Sequence, residues 1–251
     1  MAELVDSEHS RVAFVTGAGQ GLGKAIGLAL AQAGHSVVFA DIDADRAEAA
    51  AGDVGPAALG VSVDVRDRAS VEAAAERARN RFGPIGILVN NAARTVAQPF
   101  AQLTETEWDD VFAVNLRGIL LTTQTMVPDM VDAGWGRIIN LSSLAGQRGG
   151  PQVQGAHYAS SKAAIIGLSR YIAHEYASYG ITANVIAPGP ILTEATALAP
   201  KDKLDLLASQ IPVGRFGAAR DVGALACHLA STAGAFITGA TMDINGGLQM
   251  R

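Results

Sequence analysis

Tyr158 and Lys162 are the two side chains whose types and spacing best suit acid–base chemistry. On a helix, residues four positions apart lie on one face, so the lysine ammonium can sit beside the phenol. A free tyrosine loses its proton at about pH 10, and a neighbouring cation favours the phenolate. Bringing that pKa to about 7 requires roughly 4 kcal/mol, which the lysine can supply together with a second positive group. The pair alone is a weak motif, so its meaning depends on its surroundings, above all Ser142 and Ser143 upstream.

A glycine-rich segment near the start of the chain has the context of a phosphate-binding turn. The apolar run at residues 11–16 predicts a buried strand, and an amphipathic helix is predicted over residues 22–33. Glycines let a backbone turn tightly and approach a pyrophosphate, and the free N–H groups at a helix start bind its charge. The segment predicts a dinucleotide site, although its spacing differs from the commonest glycine fingerprint: Gly17-Ala18-Gly19-Gln20-Gly21-Leu22-Gly23.

A second predicted strand, residues 36–40, ends at Asp41. A carboxylate there can accept hydrogen bonds from both ribose hydroxyls of an adenosine, and it repels a 2′-phosphate. Neither Gln20 nor Ile42 supplies a positive charge, and the nearest cation, Arg46, is predicted on the next helix. We therefore expect NAD rather than NADP as the cofactor, with a simple helix cap as the alternative role of Asp41.

Strand and helix patterns alternate along the chain. Further strands are predicted at residues 57–63, 85–89, 137–141, 181–187 and 236–244, and helices at 68–81, 105–130 and 221–230. This alternation predicts an α/β fold: a single doubly wound Rossmann-type domain over residues 1–251, with a seven-stranded parallel sheet and helices on both faces. Residues 193–220, with one short helical pattern at 201–209, are interpreted as a substrate lid or a plain surface excursion.

The composition is that of a packed globular protein. Apolar residues make up 49% and charged residues 17% of 251 positions, and the net charge is −5. Without a basic run, neither nucleic acid nor a membrane is expected as a partner. The start of the chain lacks a signal-peptide pattern, Arg117 interrupts the best candidate for a membrane span, and the single Cys227 cannot form an internal disulfide. A cytoplasmic location is expected, and the histidines show no metal-ligand spacing.

Several motifs occur in a fixed order along the chain: Thr16 to Gly23, Asp64-Val65, Asn90-Asn91-Ala92-Ala93, Asn115, Ser143, Tyr158 with Lys162, Pro188-Gly189 with Ile191 and Thr193, and Asp243 to Gly247. With these motifs, the sequence resembles the short-chain dehydrogenase/reductase family over nearly its whole length. Two departures are visible. Ala93 stands where the family has glycine, and the gap between Ser143 and Tyr158 is longer than in many members.

The resemblance implies roles for individual residues. Tyr158 would be the acid/base, Ser143 would hold the substrate oxygen, and Asn115 would support a water relay. Lys162 would bind the nicotinamide ribose and lower the pKa of the phenol. A homo-tetramer built through the helices that carry Asn115 and Tyr158 is also implied. Cofactor contacts are implied for Gly17, Gln20, Gly21, Leu22, Gly23, Asp41, Ile42, Asp64, Val65, Asn91, Ala92, Tyr158, Lys162, Pro188, Gly189, Ile191 and Thr193.

The first hypothesis is an NAD-dependent oxidoreductase that interconverts a polar secondary alcohol, such as a polyol or a cyclic alcohol, and its ketone. His157 is equally compatible with a place in the substrate pocket and with an exposed position at a helix start. One alternative is an NADPH-dependent reductase of 3-oxoacyl thioesters, which the body of the chain resembles. Another is a cofactor sensor without catalysis, which we expect to lack Tyr158 or Lys162. Candidate substrate contacts are Arg94, Ser143, Arg148, Gln154 and His157.

Overall fold

The computed structural model describes residues 10–149, 154–194 and 196–250. Seven of its strands form one sheet in the order β3-β2-β1-β4-β5-β6-β9, and every neighbouring pair is parallel. The short strands β7 and β8 pair separately. The predicted α/β fold with a seven-stranded parallel sheet is thus confirmed. The strands are β1 Val12–Thr16, β2 Ser36–Asp41, β3 Ala58–Ser62, β4 Ile85–Asn90, β5 Gly136–Leu141, β6 Ile181–Pro188, β7 Ile191–Leu192, β8 Gly217–Ala218 and β9 Thr241–Ile244.

Helices cover both faces of the sheet. Val12 and Phe14 of β1 point to one face, which is packed against α3 and α5, whereas Ala13 and Val15 point to the other, packed against α1 and α9. Strands that are buried on both faces read as continuous apolar runs, which is why the sequence predicted them well. The helices are α1 Gly21–Gln32, α2 Ala44–Gly52, α3 Arg68–Phe82, α4 Glu105–Phe112, α5 Gly118–Ala133, α6 Leu144–Arg148, α7 Ala156–Tyr176, α8 Lys201–Ser209 and α9 Ala219–Ala230.

Two predicted elements differ from the structure. The helix predicted over residues 105–130 is two helices, α4 and α5, joined by a π-helical turn at Ala113–Arg117. The last strand begins at Thr241 rather than at residue 236. Phe236 is fully exposed and Gly239 has a φ of 69°, so the apolar residues before Thr241 belong to a turn and not to the sheet.

The strand order reverses between β1 and β4, so a crevice opens at their carboxyl ends. Register places Thr16 beside Ala40, and Asn90 beside Asn140. The glycine-rich turn, Asp41 and the segment that follows β5 therefore emerge at one edge of the sheet.

The segment interpreted as a lid starts and ends at the small β7–β8 pair. Its helix α8 has the bounds that the sequence predicts and buries no side chain, and Leu206 is 62% exposed. The lid function itself remains a prediction. In the described part of the chain, no helix is both long enough and apolar enough to cross a membrane. The same residues contain no group of three His, Cys, Asp or Glu side chains that could hold a metal ion.

Candidate active site

The ends of β1 and β4 are tied together by polar contacts around the glycine-rich turn. The Thr16 hydroxyl accepts hydrogen bonds from the backbone N–H groups of Asn91 and Ala92, both at 3.0 Å. The Asn91 side-chain amide donates to the carbonyl oxygens of Thr16 and Gly17, also at 3.0 Å. These contacts fix the turn on the sheet. This role of Thr16 was not predicted from its motif, although a threonine at the last position of a buried strand is a usable signal.

The glycine-rich turn leaves no room for side chains at two positions. Gly17 has a φ of 61°, and a Cβ on Gly23 would collide with the Gly17 carbonyl oxygen and the Asn91 amide. Helix α1 begins at Gly21, and its N-cap residue, Gln20, makes no side-chain capping bond. The first N–H groups of the helix thus keep their capacity to bind an anion, which fits the pyrophosphate of a dinucleotide.

Asp41 lies at the end of β2 against the glycine-rich turn. Its carboxylate accepts hydrogen bonds from the Gly19 N–H at 2.9 Å and from the Asp43 N–H at 3.1 Å. Arg46 lies on α2, as the sequence predicts, but its guanidinium donates to the Gln20 side chain at 2.7 Å and pairs with Asp43 at 3.1 Å. Arg46, the nearest cation that the sequence indicates, therefore lines the same cleft as Asp41, with its guanidinium held by Gln20 and Asp43.

A cleft of about 810 Å³ runs along this edge. The predicted cofactor contacts that line it are Gly17, Gln20, Gly21, Leu22, Asp41, Ile42, Asp64, Val65, Asn91, Ala92 and Thr193. Gly23, Pro188, Gly189 and Ile191 are not among its lining residues. Gly23 packs against the Gly17 carbonyl oxygen, and Ile191 packs in the core. Pro188 is the last residue of β6, and Gly189 donates its N–H to the Ile244 carbonyl oxygen.

The far end of the cleft contains a carboxylate that is already paired. Asp64 accepts three hydrogen bonds from the Arg66 side chain, two from Nε at 2.9 and 3.1 Å and one from Nη2 at 2.7 Å, and a fourth from the Arg66 N–H. Hydrogen bonding to the Arg66 side chain holds the pKa of Asp64 below its usual value. The sequence analysis singled out Asp64 but not Arg66, because a surface arginine carries no distinctive signal.

Asn115 sits in the π-helical turn and is fully buried. Its side-chain oxygen accepts the Arg94 N–H at 2.7 Å, and its amide donates to the Arg94 carbonyl oxygen at 3.1 Å and to the Ser161 hydroxyl at 2.9 Å. Single π turns often occur at functional sites. This one lets the Asn115 side chain join Arg94, which lines the cleft, to Ser161 on the helix that carries Tyr158 and Lys162.

Ser143, Tyr158 and Lys162 come together beside the cleft, although none of the three lines it. Ser143 caps α6, where its hydroxyl accepts the Ala145 N–H at 3.1 Å. The Ser143 side chain lies close enough to the Tyr158 phenol to lower the pKa of that phenol. Lys162, one turn along α7, donates to the Leu141 carbonyl oxygen at 2.6 Å, and its Nζ lies 5.6 Å from the centre of the Tyr158 ring.

The electrostatics of this group differ from the expectation. Burial raises the pKa of the Tyr158 phenol, and the Ser143 side chain offsets part of that increase. Lys162 is 2% exposed, and burial lowers its pKa to about 7. The lysine thus loses much of its own charge, and its Nζ is bound to a carbonyl oxygen. Lys162 is not among the groups that shift the pKa of the phenol, and burial keeps Tyr158 protonated; the lowering of this pKa by Lys162 together with a second positive group stays a prediction.

The candidate substrate contacts do not form one group. Arg94 is exposed and lines the cleft, and Arg148 donates to the Leu248 carbonyl oxygen at 3.3 Å. Gln154 accepts the Thr95 hydroxyl at 3.2 Å through its backbone oxygen. His157 is fully buried, so its interpretation as an exposed helix-start residue is wrong. Most of the loop before Gln154, residues 150–153, lies outside the described residues.

Comparisons with known proteins agree with this geometry. The family model described as enoyl-(acyl carrier protein) reductase matches residues 17–249. The chain is 37% identical over 246 residues to an uncharacterised short-chain type dehydrogenase/reductase of Sinorhizobium fredii, which covers 95% of this chain and 97% of that protein. It is 37% identical over 243 residues to the 3-oxoacyl-(acyl-carrier-protein) reductase of Escherichia coli, covering 96% and 98%. A protein of the same name from Staphylococcus epidermidis is 36% identical over 245 residues, covering 96% and 100%. The chain therefore belongs to the short-chain dehydrogenase/reductase family.

Proposed function

We propose that the protein is a nicotinamide-dependent reductase that converts 3-oxoacyl thioesters to 3-hydroxyacyl thioesters. The observation that carries this proposal is the likeness, over nearly the full length of both chains, to relatives named as 3-oxoacyl reductases, together with the grouping of Ser143, Tyr158 and Lys162. This substrate class takes the place of the polar secondary alcohol as the first hypothesis. The chemistry at the reacting carbon is the same for both.

The cleft volume of about 810 Å³ and the uncapped N–H groups at the start of α1 support a dinucleotide site. In this proposal, the N–H groups at the start of α1 hold the pyrophosphate, Asp41 holds the adenosine ribose, and Val65 packs against the adenine. Lys162 holds the nicotinamide ribose, and Thr193 contacts the carboxamide. When bound, the nicotinamide ring supplies the hydride that reduces the ketone carbon.

Residues of the protein stabilise the charge on the ketone oxygen and donate a proton to it. Ser143 and Tyr158 both present hydroxyl groups, and the effect of Ser143 on the pKa of the phenol indicates that the two groups lie close together. Two such donors stabilise negative charge as it develops on the oxygen, and Tyr158 then gives up its phenolic proton to that oxygen. Because burial raises its pKa, the phenol carries its proton at neutral pH. Asn115 holds Arg94 and Ser161 in place around α7, with a water relay as its further proposed role.

NAD(H) is the proposed cofactor because Asp41 presents a carboxylate where the ribose 2′-oxygen of an adenosine would lie. Asp41→Ser removes an acceptor for a ribose hydroxyl and the repulsion of a 2′-phosphate. Hydrogen bonds to charged groups contribute about 1.5–3 kcal/mol, so we expect the ratio of NADH to NADPH efficiency to fall by about 100-fold. The ratio of kcat/KM values for the two cofactors measures this change, with Asp53→Ser, at a surface partner of Lys24, as control.

Arg46 provides a second step in this test. In Asp41→Ser, its guanidinium is the cation beside the ribose, so it is expected to bind the 2′-phosphate. Adding Arg46→Ala should then remove most of the gain with NADPH. An unchanged cofactor ratio in Asp41→Ser would count against the role of Asp41.

A second candidate function is the NAD-dependent oxidation of a polar secondary alcohol. Asp41 favours this function indirectly, because it favours NAD, and cellular NAD is mostly in the oxidised form that accepts a hydride from an alcohol. Arg94 also places a polar group at the cleft. Initial rates with NADH and NADPH against 3-oxoacyl thioesters, 2-enoyl thioesters and simple ketones, and with NAD against polyols, separate the candidates. The proposal expects 3-oxoacyl thioesters to give the highest kcat/KM. Turnover of polyols alone would contradict the proposal in favour of an alcohol dehydrogenase, and turnover of enoyl thioesters alone would contradict it in favour of an enoyl reductase.

The protein is further proposed to act as a homo-tetramer assembled through α7 and through α4 and α5, the two helices that flank Asn115. Sedimentation equilibrium is expected to give about four times the mass of one chain. A mass near that of one subunit would refute the tetramer.

A further inference from the structure

Helix α7, which carries Tyr158 and Lys162, begins without an ordinary N-cap. Its N-cap residue is Gly155, with a φ of 72° and no side chain to accept a hydrogen bond from the first turn. The first N–H groups of a helix have no partner within the helix, and Ser, Thr, Asp or Asn at the N-cap usually accepts one of them. In α7 that acceptor comes from a different position.

The imidazole of His157 takes over the capping role. Its Nδ1 accepts the backbone N–H of Tyr158 at 2.9 Å. A neutral imidazole accepts through one nitrogen and donates through the other, so the proton lies on Nε2. Nε2 is buried and has no hydrogen-bond partner in the described part of the chain. The stabilising hydrogen bond of this side chain is therefore the one that Nδ1 accepts from Tyr158.

The imidazole ring packs closely against Gly155, near the segment that follows β4. A Cβ on Gly155 would collide with Cε1 of His157, and the same point lies 2.7 Å from the Val96 carbonyl oxygen. The Thr95 hydroxyl donates to the Gln154 carbonyl oxygen at 3.2 Å beside it. His157 thus fills the space where the segment after β4 meets the start of α7, and it is completely shielded from solvent.

We propose that His157 is a positioning residue for Tyr158: its Nδ1 caps the first turn of α7 and thereby holds the phenol against Ser143. This proposal rests on the proposed function, in which Tyr158 gives up the proton. Tyr158 is the residue whose backbone N–H is capped, so loss of the cap acts directly on the direction of its side chain. Lys162, one turn further along α7, is anchored independently to Leu141.

Two variants distinguish the effect of the hydrogen-bond acceptor at Nδ1 from the effect of the space that the ring fills. His157→Leu keeps an apolar group of similar size but has no acceptor, whereas the Oδ1 of His157→Asn can accept the Tyr158 N–H from the same position. We expect His157→Leu to speed amide hydrogen exchange at Tyr158 about tenfold and to lower kcat by about 10- to 100-fold. The Kd for NADH should stay within about twofold, because the groups that bind the cofactor are untouched. His157→Asn should restore exchange and kcat to within about threefold of the wild-type values.

Ser231→Ala is the matched control. Ser231 caps a short 3₁₀ helix, Thr232–Gly234, by accepting the Ala233 N–H at 3.1 Å, so its loss should lower Tm without changing kcat. Unchanged exchange at Tyr158 in His157→Leu would overturn the proposal, as would an unchanged kcat despite faster exchange. Failure of His157→Asn to restore kcat would show that ring packing matters instead. Exchange and NADH binding need no substrate, so the cap can be tested even if the wild-type chain reduces no thioester, a result that would count against the proposed function alone.

Discussion

Tyr158→Phe is expected to lower kcat by about 10³- to 10⁴-fold while the protein still folds and still binds NADH. The phenylalanine ring fills the same space as the tyrosine ring. It lacks the phenolic proton, which is the only proton that the protein donates to the ketone oxygen in the proposed reaction. Ser143 remains as a donor, so a trace of activity from charge stabilisation is consistent with the account. Rapid NADH oxidation assays of kcat and fluorescence titration of NADH binding measure the two quantities separately.

Tyr179→Phe is the matched control for Tyr158→Phe. Tyr179 is 47% exposed and lies beyond the end of α7, so loss of its hydroxyl should leave kcat unchanged. A Tyr158→Phe variant that keeps more than about a tenth of the wild-type kcat would remove Tyr158 from the proton-donating role.

Lys162→Met is expected to be the second most damaging change to activity. Methionine fits the buried position but cannot donate to a nicotinamide ribose, so kcat/KM should fall by at least about 100-fold, with much of the loss in NADH affinity. Lys24→Met, at a partly exposed lysine that pairs with Asp53, is the control and should leave kcat/KM unchanged. Wild-type NADH affinity in Lys162→Met would contradict the proposed contact with the ribose.

The same variant tests the buried state of Lys162 through stability. The folded-state pKa of about 7 is below the unfolded value of about 10.4. Between these two pH values the unfolded chain holds a proton that the folded chain has released, so the free energy of unfolding rises with pH. Below about pH 7 both states carry the charge, and the destabilisation is present in full.

Urea unfolding without cofactor measures this effect as the difference between the wild type and Lys162→Met. The wild type should gain stability relative to the variant from about pH 7 to about pH 10, by at most about 5 kcal/mol. A constant difference over that range would mean that the folded-state pKa of Lys162 is not lowered.

The sheet and its order of elements were predictable because their signals are local. The strands are buried on both faces and read as apolar runs, and the glycine-rich turn needs residues without side chains at Gly17 and Gly23. The end of the chain was less predictable. Phe236 and its apolar neighbours resemble a strand, but Gly239 turns the chain before β9 begins. The π turn at Asn115 was also missed, since one extra residue in a turn hardly changes a helical pattern.

The chemistry of the site depended on burial, which residue spacing does not reveal. Spacing places Lys162 beside Tyr158, but burial of each group determines that the pKa of the lysine falls while that of the phenol rises. The position of His157 likewise depends on the segment around Val96, which is distant in the sequence. Arg46 was correctly placed on a helix, yet only the structure shows its contact with Gln20.

Transfer of deuterium tests the central claim most directly. The protein is incubated with NADH that carries deuterium at the transferable position and with a short 3-oxoacyl thioester, and the product is analysed by mass spectrometry and NMR. The account predicts a 3-hydroxyacyl thioester with one deuterium on carbon 3, formed by the wild type and at most in trace amounts by Tyr158→Phe. An unlabelled product, or no product from any 3-oxoacyl thioester by a protein that binds NADH, would contradict it.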